Sequence, residues 1–505
     1  MAVKSAITMV IPSPIPTSQN LSGDSFIGQA VPAAHLSPKY QFKPMATLMH
    51  QDGGNDGSED YPGPLGNNTN VATAVVPLKV FLWDKEGNMI AGFAEQTSSS
   101  VLFGLAFVDK NTLEIQSNWT APPNQTLNLA YMELTLEDDM VVVSSKQGQI
   151  YVLQSSCKNN EPILTLIRSI NLTSILKPSE LLLNSMFDDS GNIWFTTGGL
   201  LKQTAQAPGD PEQNSTTIGY IEPCGTIHSM HIPNQMIENG MAVNDNTIYL
   251  VTGPSGADDH AEAIGYMYAL TSGSENSITT VWKTTYSAGD GRKPGAFARG
   301  SGSTPTLLHD QYVVITDNAN NQINLLIYHQ NATANQIVCS VPIFQPGAGN
   351  NDVGTLAHLD DDTYGIVVMN NYNAPPLYSG GDINGPFNNL SVMAAETIRV
   401  DVKADGSGCH VAWDRPVRIQ SVPVLSTQTG LVYGYTQDAE LAVLGLYEWY
   451  VAALDWKTGK LVWEIRTGAG GSFNDNYLPG SLGPDGTFYQ GVLDGVVMVR
   501  DGKGA

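Results

Sequence analysis

The stretch Ala453-Leu454-Asp455-Trp456-Lys457-Thr458-Gly459-Lys460-Leu461-Val462-Trp463 reads as two β-strands joined by a tight Asp/Thr-Gly turn and closed by a tryptophan. Looser copies recur: Val108-Asp109-Lys110-Asn111-Thr112 runs on to Trp119, Tyr268 through Gly273 to Trp282, and Val400 through Gly406 to Trp413. A strand pair of this kind cannot bury both faces alone. Repeated copies must therefore stack on one another, as in a propeller or a solenoid.

From residue 71 onward, short β-branched and aromatic runs alternate with Gly, Asn and Asp turns, an all-β signature. At 505 residues the chain exceeds the ~250–300 at which a single core stops growing, and the repeats make it modular. Grouping the runs in fours predicts blades at 71–121, 128–172, 181–232, 235–287, 299–343, 352–414 and 417–466. An eighth, at 474–500, is one strand short. The expected fold is an eight-bladed β-propeller of residues 71–500, with seven blades as the alternative. Residues 1–70, rich in Pro, Ser, Gly and Asn, form an extended N-terminal arm. A strand from residues 36–50 is expected to complete the last blade and close the ring, removing an open edge. Trp449 falls in a loop-like insertion, so its truncation is expected to cost less than that of Trp463.

Residues 453–463 match the pattern Ala-x-Asp-x-x-Thr-Gly-x-x-x-Trp in full. In this the chain resembles the quinoprotein-type, or PQQ-like, eight-bladed β-propellers, over about residues 71–500. The resemblance implies that Trp119, Trp282, Trp413 and Trp463 pack between blades. In the quinone-dependent dehydrogenases of that superfamily it also implies a cofactor held between a vicinal disulfide and a tryptophan. The four cysteines, Cys157, Cys224, Cys339 and Cys409, include no adjacent pair, which disfavours PQQ. They allow three pairings of two disulfides, or four free buried thiols, and they form no CxxC motif.

The 24 basic and 48 acidic residues give a net charge of −24, which disfavours nucleic acid and anionic membrane as partners. No apolar run reaches the length of a membrane span. Asn-x-Ser/Thr sequons begin at Asn20, Asn67, Asn118, Asn124, Asn171, Asn214, Asn331 and Asn389, as in a secreted glycoprotein. Residues 1–12 lack a signal-peptide pattern, so an exported protein would have lost its leader before this sequence begins. Oligomeric state is left open.

In a propeller, the loops entering the innermost strands and those joining second to third strands share one face, the ligand mouth. Blades four to eight supply most of its polar groups. Asp258 and His260 lie in one loop, Arg292 and Arg299 enter blade five, and Asp317, Asn318 and Asn320 follow its second strand. Asp352 enters blade six, Asn370, Asn371 and Tyr372 begin its long insertion, Arg418 enters blade seven, and Asn476 and Tyr477 enter the last. The second blade brings little more than Ser145-Lys146-Gln147-Gly148. Asn and Asp also populate turns for backbone reasons, so each of these residues has a purely structural reading as well.

His260 beside carboxylates suits general acid/base work. Arg299 suits bidentate capture of a carboxylate or sulfate, or else an inter-blade ion pair with Asp317 or Asp352. His260, Arg299 and Asp317 are expected to share one cavity as the catalytic group. His228 and His231, three apart in a strand, point to opposite faces and make a poor metal pair. Calcium suits the acidic mouth, but Asp401 to Ala412 lacks the closing Glu of an EF-hand. The absence of HExxH, GxSxG and P-loop motifs removes the zincin, serine-hydrolase-elbow and P-loop readings. The expected function is a secreted enzyme acting on a small-molecule substrate at the channel mouth by acid/base or electrostatic catalysis. The alternatives are a PQQ/calcium-dependent dehydrogenase and a non-catalytic binding or scaffold propeller, the last requiring exposed mouth residues without a closed pocket.

Overall fold

The computed structural model describes residues 12–158, 161–177, 180–198, 215–273 and 277–502. They form eight small antiparallel sheets, the blades of a β-propeller, in chain order 78–120, 133–171, 182–233, 235–287, 306–342, 355–415, 424–469 and 480–500. Strands in the middle of a blade are buried on both faces, because each blade is sandwiched between two others. Ile193–Thr197 and Leu431–Gln437 are buried throughout, so they read as continuous runs rather than alternations. Outermost strands such as Ile227–Pro233 alternate between half-buried and exposed positions.

The quoted motif is the turn that docks one blade on the next. Asp455 Oδ1 accepts hydrogen bonds from the Thr458 amide (2.8 Å) and hydroxyl (2.6 Å), and the Gly459 amide closes the turn on the Asp455 carbonyl (2.8 Å). Gly459 has φ +66°, and a Cβ there would strike the indole of Trp413, which ends the preceding blade. Trp413 Nε1 donates to the Trp456 carbonyl (3.2 Å) of the same turn. Trp282 repeats the scheme with the Gln330 carbonyl (2.7 Å) of the following blade, and Trp119 packs on Tyr151 at 5.0 Å. Trp463 lies between Phe26 and Tyr433. Trp449, expected in a loop, belongs to the strand Glu448–Asp455, is fully buried and stacks on Tyr435. Its truncation should therefore cost as much as that of Trp463.

The ring closes through the N-terminal side of the chain, but by a different segment from the one expected. Asn70–Ala74 is the outermost strand of the last blade and pairs with Gly495–Arg500. Residues 36–50 do not reach that blade: Ala46–Thr47 pairs instead with the inner strand Glu133–Thr135 of the second. A β-branched run directly before blade one reads equally well as its first strand, which is why the assignment slipped by one.

The arm does more than close the ring. Phe26–Gly28 adds an outer strand to the seventh blade, and the chain then enters the channel, where residues 46–58 are all buried. Inner strands leave an unpaired edge toward the axis. The arm caps that edge blade after blade: Leu136 donates to the Met45 carbonyl, Val243 to Gly53, Leu307 to Gly54, Ala357 to Asp56 and Leu425 to Gly57, at 2.7–2.9 Å. The glycine-rich stretch 53–57, expected as part of an extended arm, is a plug. Of the cysteines, Cys339 and Cys409 form a disulfide between the outermost strands of the fifth and sixth blades, while Cys157 and Cys224 are free and exposed.

Candidate functional site

At the face where the entry loops of the inner strands gather, the channel opens into a cavity of about 460 Å³ whose wall includes Met49 of the arm. Most of its wall is apolar, including Met49, Phe103, Leu127, Leu129, Leu182, Phe297, Leu377 and Val422. Glu238, Asp352, Tyr131, Asn128, Asn476, Tyr477, Lys79 and Lys146 are the polar groups that converge on it.

Asn239 is the residue that assembles this site. It lies in the tight entry to the inner strand Ala242–Asn244, and its Nδ2 donates to the carbonyls of Gly302 (3.0 Å) and Asp352 (2.7 Å). Its Oδ1 accepts from the Tyr131 hydroxyl (2.6 Å) and from Thr304 Oγ1 (3.0 Å). One side chain thus ties blades two, four, five and six together and brings Glu238 against Asp352. The two carboxyls face each other beside Gly302, and Glu238 Oε1 and Oε2 and Asp352 Oδ1 find no hydrogen-bond partner among the described residues. Gly302 provides the room, since a Cβ there would collide with Asp352 Oδ1 and Glu238 Oε1. Asn350 Nδ2 holds the other Asp352 oxygen at 2.7 Å.

Burial raises both carboxyl pKa values, and the mutual repulsion of the pair pushes Glu238 further up. Glu238 is thereby held well above the ordinary carboxyl range. The carboxyl oxygens of Glu238 are out of contact with solvent although the residue as a whole is half-buried. Tyr131 and Tyr477, also at the wall, have their phenol pKa values raised by burial, with Glu238 and Asp352 adding to the effect. Asn476 and Tyr477 have φ of +48° and +64°, two consecutive left-handed residues neither of which is glycine. Such strain clusters where a backbone is held for a purpose other than stability.

Of the residues the sequence singled out, Asp352, Asn476 and Tyr477 line this cavity. Arg292 is exposed, and its charge reaches both Glu238 and Asp352 and lowers their pKa values in part. The expected catalytic trio is not brought together there. Arg299 is buried away from the cavity, ion-paired to Asp259 and bonded to the carbonyls of His260 (2.8 Å) and Gly289. Its partner is thus neither Asp317 nor Asp352, and it is a strut between two loops. His260 is exposed and its Nδ1 turns back to the Ala261 carbonyl at 2.8 Å. Asp317 accepts the Asn324 amide (2.7 Å) and side chain (2.8 Å), which is turn chemistry.

The remaining expected binding residues are likewise engaged within the fold. Asn318 Nδ2 donates to the Ala288 carbonyl (2.7 Å), and Asn320 Oδ1 accepts the Asp290 amide (2.7 Å). Asp258 accepts from Gln235 (3.4 Å), and Arg418 Nε donates to the Met393 carbonyl (2.8 Å). Asn370 accepts the amide of half-buried Tyr372 (3.0 Å), and Asn371 accepts that of Asp352 (3.1 Å), which makes Asn371 a support of the site. His228 and His231 pair with Glu222 and Glu180 respectively. Among the described residues no group of three or more His, Cys, Asp or Glu is arranged to hold a metal ion.

A blade beginning at 235 puts Glu238 inside a strand, whereas it lies in the entry loop between Gln235–Met236 and Ala242–Asn244. The available signal was Asn239-Gly240, a turn pair directly after it. Lys146 was passed over as too little for a site.

The fold and mouth define a β-propeller with a single-sided cavity. No family model matches the chain. A protein of undescribed function from Archaeoglobus fulgidus is 24% identical over 241 residues, covering 44% of this chain and 46% of its own length, so the match spans about half of that relative. Among solved structures, the WD40 domain of SCAP from fission yeast is 10% identical over 86% of this chain and 99% of its own, with a TM-score of 0.45. Sqt1 from Chaetomium thermophilum is 11% identical over 88% and 99%, with a TM-score of 0.48. A streptogramin B lyase is 11% identical over 86% and 98%, with a TM-score of 0.36. At these scores the architecture rests on the sheets of the chain itself.

Proposed function

We propose that the protein is an enzyme that transforms a small organic molecule in the mouth cavity, with Glu238 as general acid and Asp352 as its proton-accepting partner. The observation that carries this reading is one: two carboxyls set against each other, their buried oxygens Glu238 Oε1 and Oε2 and Asp352 Oδ1 without hydrogen-bond partners among the described residues, in the wall of a mostly apolar cavity. A protonated carboxyl kept neutral by burial can donate to charge developing on a substrate oxygen or leaving group. Asp352, steadied by Asn350 and Asn371, takes up a proton from substrate or water on the other limb of the cycle. Tyr131 donates to Asn239 and so positions the pair.

The scaffold alternative calls for a mouth without a pocket, and the cavity counts against it. A quinone does not fit the residues present. The bonded cysteines are 70 positions apart, and among the described residues no tryptophan lines the cavity and its only carboxyls are the Glu238–Asp352 pair. Export is part of the same proposal, supported by the disulfide and by exposed sequon asparagines Asn118, Asn124, Asn171 and Asn331. A glycosidase-induced mass shift of the protein from its native source is its check.

The activity reading is tested by screening small organic substrates with wild type, Glu238→Gln and Asp352→Asn. Turnover should fall by about 10²–10⁴-fold in each variant while the fold is kept. Turnover at wild-type rates in either variant would overturn the assignment.

A further inference from the structure

Across the cavity from the carboxyl pair, the wall made by the first two blades carries Lys79 and Lys146. Lys146 sits in the hairpin between Met140–Ser144 and Gln149–Lys158. Its amide donates to Thr126 (2.9 Å) and its carbonyl accepts from Leu182 (3.3 Å), so the backbone is fixed from both sides. Its ammonium is half-buried and has no hydrogen-bond or ion-pair partner among the described residues. Lys79 donates to the carbonyls of Val492 (3.0 Å) and Leu493 (2.8 Å), which fixes its position and leaves one N–H of the ammonium. Phe103, Leu127 and Leu129 supply apolar surface on the same side of the cavity.

A cation held in an apolar wall without a counter-charge is costly unless an anion meets it there. The chain has twice as many acidic as basic residues, yet none among the described residues is set against Lys146. Lysine presents a compact point charge, and this wall offers neither an arginine fork nor a glycine-rich nest of amides. That favours a single carboxylate over a phosphate. At about 460 Å³ the cavity lies in the range of small-ligand sites.

We propose that the mouth cavity takes a small monocarboxylic acid with an apolar body. Its carboxylate lies at Lys146 with Lys79 beside it, and its body lies on Phe103, Leu127 and Leu129. The far end of the molecule then reaches the Glu238–Asp352 pair. This rests on the mouth being the ligand site, but not on the pair performing acid/base work.

The experiment is calorimetric titration with octanoate and phenylacetate, each against its neutral primary amide. Both acids should bind at least about tenfold more tightly than their amides, and Lys146→Met should weaken the acids about 10–100-fold, the range for one charge-assisted hydrogen bond. The same variant should leave the amides unchanged, Lys146→Arg should restore most of the acid affinity, and Glu238→Gln should still bind the acids. Acids binding no better than amides, or binding unchanged in a folded Lys146→Met, would overturn the substrate class and leave the carboxyl-pair reading intact. Acid binding through Lys146 together with full turnover in Glu238→Gln would do the reverse.

Discussion

At the lower end of the channel Lys39 lies 3.5 Å from Glu59 and 3.9 Å from Asp52, and Asp52 and Asp56 accept backbone amides of residues 54, 56 and 58. At the mouth, Glu238 and Asp352 face each other, and Lys146 stands across the cavity without a partner among the described residues. Burial alone would lower the Lys39 pKa, but Glu59, Asp52, Asp56 and Asp60 outweigh it and raise it. Below, the protein answers its own charges and the result is a plug. Above, it leaves them for something else.

The comparison can be broken most severely by removing the plug. Deleting residues 1–60 strips the inner-edge bonds of five blades while leaving the closing strand Asn70–Ala74 in place. The cooperative calorimetric transition should disappear. A transition within a few degrees of the full chain would show that the arm is dispensable.

A finer version exchanges one lysine at each end. Lys39→Met strands its two paired carboxylates, Asp52 and Glu59, and should cost about 3–5 kcal/mol in urea denaturation. Lys146→Met removes an ammonium that the fold does not use and should lie within about 1 kcal/mol of wild type. Equal losses would erase the distinction between the two ends. Arg299→Ala belongs with the first class: it leaves Asp259 unpaired and should cost about 3 kcal/mol without changing ligand affinity in the folded fraction. Replacing exposed His260 by Ala should change neither stability nor turnover measurably.

The pH dependence has a definite sign. Glu238 and Asp352 are raised in the folded state, and Glu133 (to about 8), Glu59, Glu464 and Asp475 (each to about 7) are raised by burial as well. Below the ordinary carboxyl range both states are protonated and no penalty applies. As pH rises from there toward neutrality the unfolded chain ionises first, so stability falls until the folded-state values are passed. The melting temperature should accordingly be higher at pH 5 than at pH 8, and Glu238→Gln should narrow that gap. A wider gap in the variant would contradict the shift.

The architecture was legible because it is repetitive. Residues 453–463 carry the complete turn and tryptophan, and seven blade spans could be extended from it by spacing alone. The plug was not legible, since Gly53-Gly54-Asn55-Asp56-Gly57 has the composition of a linker and only the inner edges of distant strands give it a place. The site was half legible. Asp352, Asn476 and Tyr477 follow from topology, which says which loops share the mouth. Arg299, Asp317 and Asn318 share that topology, but their side chains are consumed by Asp259, Asn324 and the Ala288 carbonyl, and no local pattern reveals such partners. Glu238 depends on Asn239 reaching the carbonyls of Gly302 and Asp352, contacts 63 and 113 positions away in sequence.

The central claim is that Glu238, set against Asp352 in the mouth, is protonated at neutral pH. Difference infrared spectroscopy of wild type minus Glu238→Gln, recorded across a pH titration, reads it directly. The contributions of Glu133, Glu59, Glu464 and Asp475 cancel in the difference, so a positive protonated-carboxyl band should remain at pH 7 and disappear only at alkaline pH. A difference spectrum at pH 7 showing an ionised carboxylate alone would contradict it.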